Sequence, residues 1–173
     1  MAIYALGDQV PEIHPEAYIH PDAVIIGDVV IGSESTVWAS AVLRGDDGSI
    51  RVGERSSIQD CAVLHTTEEW PTVVGDECTI GHLAHLEGCT VHDRALVGNQ
   101  AVVLHRAVVG SGALVAANAV VLNDAVIPPE SLAVGIPARV KEGVPVDAED
   151  MMRGMRSYVE RGHRYRAELR RLD

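Results

Sequence analysis

Large aliphatic residues recur every six positions through most of this chain, and few folds can use a period of six. They stand at Ile13, Ile19, Ile25, Ile31, Val37 and Leu43, resume at Val52, Ile58 and Leu64, and resume again at Val74, Ile80 and Leu86. After a slip of one residue the register continues from Val91 through Val97, Val103, Val109, Val115 and Val121 to Ile127. Two positions before most of these sits a small residue, such as Ala17, Ala41, Ala62 or Ala84, and then an unbroken set from Ala95 to Ala125. A helical face recurs about every 3.6 residues, so this pattern would scatter apolar side chains around a helix. Small inward, polar outward, large inward instead describes a strand of roughly two or three residues followed by a corner. Self-similarity at so short a period marks a solenoid, with three sixes making one triangular coil. An ordinary β-sandwich has turns of varying length and would not hold the register.

The sequence therefore predicts an all-β solenoid, a parallel β-helix, with a C-terminal α-helix. Residues 1–12 read as an N-terminal cap, 13–139 as the β-helix, 140–146 as a linker and 147–173 as an amphipathic helix. Asp147 is the candidate N-cap, and Glu149 and Asp150 at the start with arginines near the end suit the helix dipole. Met151, Met155, Tyr158, Gly162, Tyr165, Leu169 and Leu172 are spaced alternately four and three apart, which is one face of a helix. Gly154 and Gly162 would weaken that helix alone, so it is expected to dock.

A net charge of −11, with arginines gathered mostly near the C-terminus, argues against a nucleic-acid surface. With no Phe and few aromatics, base-stacking platforms are not expected either. No apolar run approaches the roughly 20 residues of a membrane helix, and the start lacks the basic and apolar regions of a secretory signal. The expectation is a soluble, cytoplasmic protein without a membrane partner. Cys61, Cys78 and Cys89 lack metal-type spacing and read as reduced thiols.

Counting coils places Leu43, Leu64 and Leu86 on one flat face. The residue after each inward aliphatic points outward, so Arg44, His65 and Glu87 should stack in a ladder with coils about 4.8 Å apart. His82 lies two beyond Ile80, at a corner of a different face, and a neighbouring subunit could bring it to His65 and Glu87. Two imidazoles and a carboxylate form a zinc-type set that leaves a position open for water, and iron or cobalt suit it as well. His85 also points outward without stacking on His65, and is an alternative ligand. His14, His20, His92, His105 and His163 read as surface or hydrogen-bonded residues.

The segments RGDDGSIRVG at Arg44–Gly53, SIQDCAVLH at Ser57–His65 and IGHLAHLEGC at Ile80–Cys89 resemble those of γ-class carbonic anhydrase-like proteins of the hexapeptide-repeat family. The resemblance runs from Ile13 to Arg139. It implies a left-handed coil and a homotrimer with a metal at each subunit interface, acting on CO₂ and bicarbonate. The family's three histidine ligands fall on His65, His82 and position 87, which is Glu87 here. By the same resemblance Arg44 and Asp46 form an intersubunit ion pair near the substrate and Asp60 is a further partner for Arg44. Gln59 orients the bound species, and Glu68, followed by Glu69, matches the acidic proton shuttle in the loop after His65. Two other classes stay open. One is a hexapeptide acyltransferase using acyl-CoA, since GIPARV resembles a segment of those enzymes; the other is a non-catalytic metal-binding or assembly trimer.

Overall fold

The computed structural model describes residues 2–173. Short strands wind as a left-handed parallel β-helix of triangular section, closed on one side by a helix spanning Ala148–Glu168. One face stacks Val63–His65, His85–Glu87, Val102–Val103 and Val120–Val121, and a second stacks Thr72–Val74, Thr90–Val91, Val108–Val109 and Val126–Ile127. The third carries Tyr18–Ile19, Thr36–Val37, Ser57–Ile58, Thr79–Ile80, Leu96–Val97, Leu114–Val115 and Leu132–Val134. Arg139–Val140 closes this last face by pairing antiparallel to Leu132–Val134. Among the described residues no helix is long and apolar enough to cross a membrane.

The aliphatics of the repeat fill the prism. Ile25, Leu43, Leu64, Leu86, Val103 and Val121 are fully buried, as are the alanines at 62, 101, 107, 113 and 119. Burying each large aliphatic contributes on the order of 1.5–3 kcal/mol, and the alanines occupy the tighter space beside the corners. The backbone at the corners is left-handed. Cys61, Leu83, Gln100 and Arg106 all have φ near +60°, a left-handed conformation that costs an L-residue roughly 1–2 kcal/mol. Cross-coil hydrogen bonds offset the strain, because Cys61 N donates to Ala39 O at 3.0 Å, Leu83 N to Asp60 O at 3.0 Å and Gln100 N to His82 O at 2.8 Å.

The first interruption of the repeat is not a loop. Val42–Val52 is one eleven-residue strand that bends around a corner and pairs with Val24–Ile31, with a register shift between Gly27 and Val29. Inside it Ile50 is fully buried opposite Val29, a contact outside the six-residue count. The N-terminal segment also joins the ladder, since Ala2–Tyr4 pairs with Val24–Ile26.

The helix docks on its own solenoid, against the strands of the third face. Asp147 accepts from Asp150 N as its N-cap. Met151, Met155 and Gly162 are buried, and Tyr158 and Tyr165 pack edge-on to Trp38, with centroids 5.6 and 5.1 Å away. Gly162 is required by this contact, because a Cβ there would lie 2.7 Å from Thr36 Cγ2. The helix ends at Glu168, so the expected face stops short: Leu169 is the C-cap, and Leu169 and Leu172 are exposed.

Candidate metal centre

Parallel pairing sets Arg44 opposite His65 and His65 opposite Glu87. This forms the ladder read from the coil count. Both ring nitrogens of His65 face carboxylates, Nδ1 lying 3.1 Å from Glu87 Oε1 and Nε2 lying 3.2 Å from Asp46 Oδ1. Arg44 pairs with Asp46 within the same chain. Burial alone would raise the Asp46 carboxyl, but hydrogen bonding and charge from Arg44, with His65, hold it below its ordinary value. Asp46, Asp47 and His65 offer ligand-type atoms all within 4.8 Å of one another, the one such trio among the described residues.

Glu87 is ringed by imidazoles. His85 Nε2 lies 3.2 Å from Oε2, and His105 Nε2 lies 3.6 Å from Oε1, the oxygen that also faces His65. Burial would raise this carboxyl too, yet the contacts from His85 and His65 outweigh it and keep it below the usual range. His105, which the sequence reads as a surface or hydrogen-bonded residue, stands beside this cluster. Its Nε2 is buried without a hydrogen-bond partner, and its ring packs 5.2 Å from that of Trp70. The Arg106 guanidinium lies over the Trp70 ring, 4.3 Å from its centroid, and is ion-paired to Asp124. The spacing held a signal, since His105 is eighteen residues, three repeats, after Glu87. The slip conceals it, because Leu86 pairs with Val103 and His105 is therefore carried one position past Glu87 to Gly88.

The remaining residues lie elsewhere in the chain. Ile58 pairs with Ile80, which stacks Asp60 and His82 at one corner of the helix-bearing face, with His82 Nδ1 2.9 Å from Asp60 Oδ2. Tyr158 Oη lies within hydrogen-bond distance of His82 Nε2, at 3.3 Å, and burial pushes that phenol up. Gln59 is buried beside the same helix and lines a cavity of about 410 Å³ with Thr79, Asn99 and Tyr158. Within one chain Asp60 thus pairs with His82 and not with Arg44. Glu68 and Glu69 are exposed in the loop after His65, where Thr67 and Trp70 exchange backbone hydrogen bonds at 3.3 Å.

The donors fit a divalent cation on their own chemistry. The set holds imidazoles beside a carboxylate kept ionised, one imidazole nitrogen buried and unpartnered, and His82 oriented by a carboxylate as metal-binding histidines are.

A family model described as bacterial transferase hexapeptide, six repeats, matches residues 11–45. A probable carbonic anhydrase of Methanocaldococcus jannaschii is 57% identical over 110 residues, covering 64% of this chain and 69% of that protein. A carbonic anhydrase of Geobacillus kaustophilus is 39% identical over 95% of this chain and 91% of its own length. Among solved structures, a putative acetyltransferase of Bacillus cereus superposes with a TM-score of 0.94 at 35% identity, covering 96% of this chain and 97% of that one. Likeness to a carbonic anhydrase over nearly the full length of both chains shows the family: this chain belongs to the γ-class carbonic anhydrase-like proteins of the hexapeptide-repeat, left-handed β-helix type.

Proposed function

We propose that the protein is a carbonic anhydrase-type lyase, interconverting CO₂ and bicarbonate at a divalent cation held between subunits of a homotrimer. The observation that carries this reading is the division of the site within one chain. Arg44, Asp46, His65 and Glu87 gather on one face, while Gln59, Asp60 and His82 gather at a different corner. Each half holds only part of a ligand set, and a threefold assembly would join one half to the neighbour's other half. His65 and Glu87 would hold the cation with His82 of a neighbouring subunit. Zinc suits that set, with iron or cobalt as substitutes. When bound, the cation would supply Lewis-acid activation of water near neutral pH.

The chain's own groups divide the rest of the work. Asp60 accepts from the His82 ring and fixes its orientation. Arg44, held by Asp46, supplies positive charge for the bicarbonate anion. Gln59 orients the reacting species, and Glu68 or Glu69 at the exposed loop passes the proton to solvent. A carboxylate at 87 removes about one unit of positive charge relative to a neutral imidazole ligand set, so bicarbonate is attracted less and hydration slows.

Stopped-flow CO₂ hydration by protein loaded with zinc, cobalt or iron, set beside chelated protein, tests this. Metal-dependent turnover above buffer is expected, and metal-loaded protein no faster than chelated protein would contradict it. Likeness to the putative acetyltransferase of Bacillus cereus favours a second reading, acyl transfer from acyl-CoA. Acetyl-CoA consumption without CO₂ hydration would select that reading.

A further inference from the structure

We propose that Trp70 and Arg106 are positioning residues for proton transfer. The indole, packed on His105 and on a guanidinium that Asp124 fixes, holds Glu68 and Glu69 at the tip of a tight turn beside His65. The inference rests on the CO₂ hydration reading above and names what keeps its proton carrier in place.

The turn is closed at its base. Thr67 N donates to Trp70 O and Trp70 N to Thr67 O, each at 3.3 Å, which leaves Glu68 and Glu69 as the two residues at the tip, both exposed. Thr66 Oγ1 donates to Trp70 O at 2.8 Å, and Thr72 Oγ1 donates to His65 O, so both ends of the loop return to His65. Glu68 follows His65 by three residues, which keeps their Cα atoms within roughly 11 Å. A carboxylate there can take the proton released as CO₂ and water become bicarbonate, directly or through a water, and pass it to buffer. The backbone on either side is packed as closely as glycine allows. A Cβ at Gly48 would lie 2.3 Å from Thr67 O, and one at Gly88 would lie 3.0 Å from Trp70 Cβ.

The clamp comes from the following coils. The His105 ring meets Trp70 at 5.2 Å while its Nε2 faces Glu87 Oε1 at 3.6 Å, so one imidazole touches both the loop and the ladder. Arg106 lies over the same indole, and Asp124 grips it in a fork, Oδ1 at 2.6 Å from Nε and Oδ2 at 2.8 Å from Nη2. Two parallel bonds fix the plane of the guanidinium, which a single point charge would not do. Glu69 is close enough that its charge, after the hydrogen bond and charge of Asp124, raises the Arg106 guanidinium above its ordinary value. Both Arg106 and Asp124 are exposed enough for their pair to add little to stability. What the fork supplies is a fixed position for the indole, and through it for the two glutamates.

The test uses the full chain loaded with zinc. Stopped-flow CO₂ hydration is measured in dilute and in concentrated imidazole buffer for wild type, Trp70→Leu, Arg106→Gln and a Glu68→Gln, Glu69→Gln double variant. Circular dichroism verifies folding, and Arg106→Gln carries the test if Trp70→Leu does not fold. A misplaced proton carrier slows the step that readies the protein for its next turnover, so kcat falls while kcat/KM, which covers the steps up to bicarbonate release, does not. We expect Trp70→Leu and Arg106→Gln to lose about tenfold in kcat in dilute buffer, to recover it in concentrated buffer, and to keep kcat/KM. The double variant should show the same buffer-rescued loss in kcat, and adding Arg106→Gln to it should cost nothing more. Loss in the double variant alone, or a fall of kcat and kcat/KM together that buffer does not restore in the Trp70 and Arg106 variants, would overturn the positioning role and leave the lyase reading standing. Wild-type kcat in the double variant would overturn it as well, since the turn would then carry no proton. A wild-type chain without CO₂ hydration would overturn both.

Discussion

At position 87 a carboxylate stands where the family's pattern has a histidine, and its two oxygens face His65, His85 and His105. The cysteines show the opposite use of burial. With no carboxylate–imidazole contacts to compensate, desolvation pushes the Cys78 and Cys89 thiols up to about 12. Both should resist alkylation in the native protein at neutral pH and react once it is unfolded, as mass analysis of iodoacetamide-treated samples would register. The sign of the pH effect follows. An unfolded thiol with a pKa near 9 ionises before the buried one, so stability is full below about pH 9 and falls towards pH 12. A Cys78→Ala, Cys89→Ala double variant should lose that alkaline slope in denaturant titrations. The ladder of Arg44, His65 and Glu87 could be read in the sequence because parallel pairing puts equal counts opposite one another. His105 could not, since the slip at Gly88 breaks the count where it matters.

The helix shows how element-level packing overrides propensity. Gly154 meets nothing within 4 Å of an added Cβ, whereas Gly162 faces the buried Thr36. Gly154→Ala should therefore stabilise the protein by about 0.5–1 kcal/mol. Gly162→Ala should lower stability by about 1–3 kcal/mol through overpacking, in spite of the same gain in propensity. Thermal unfolding of the two variants measures both, and a rise in Tm for Gly162→Ala would mean the helix is not docked through that contact. The spacing of Met151, Met155 and Gly162 made the face legible. Its end was not, because Leu169 continues the spacing but has extended backbone, with ψ 125°, and lies beyond the last buried contact. The strand Val42–Val52 escaped the count for a related reason: a long strand bending around a corner keeps alternation, through Ile50, while losing the period of six.

For the whole molecule, a period of six determines the prism because every coil must repeat its corner, its small residue and its large residue. The corner conformation itself carries little side-chain signal, as Leu83 and Cys61 take the same left-handed backbone that glycine takes elsewhere. Within one chain Glu87 lies with His65 on one face and His82 with Asp60 at another corner, and the proposed function requires an assembly that joins them. Native mass spectrometry of the protein, gently exchanged from a zinc-containing buffer, measures assembly and metal together. The account predicts one dominant species of three 18.5 kDa chains carrying three divalent cations. A metal-free monomer as the dominant species would contradict it.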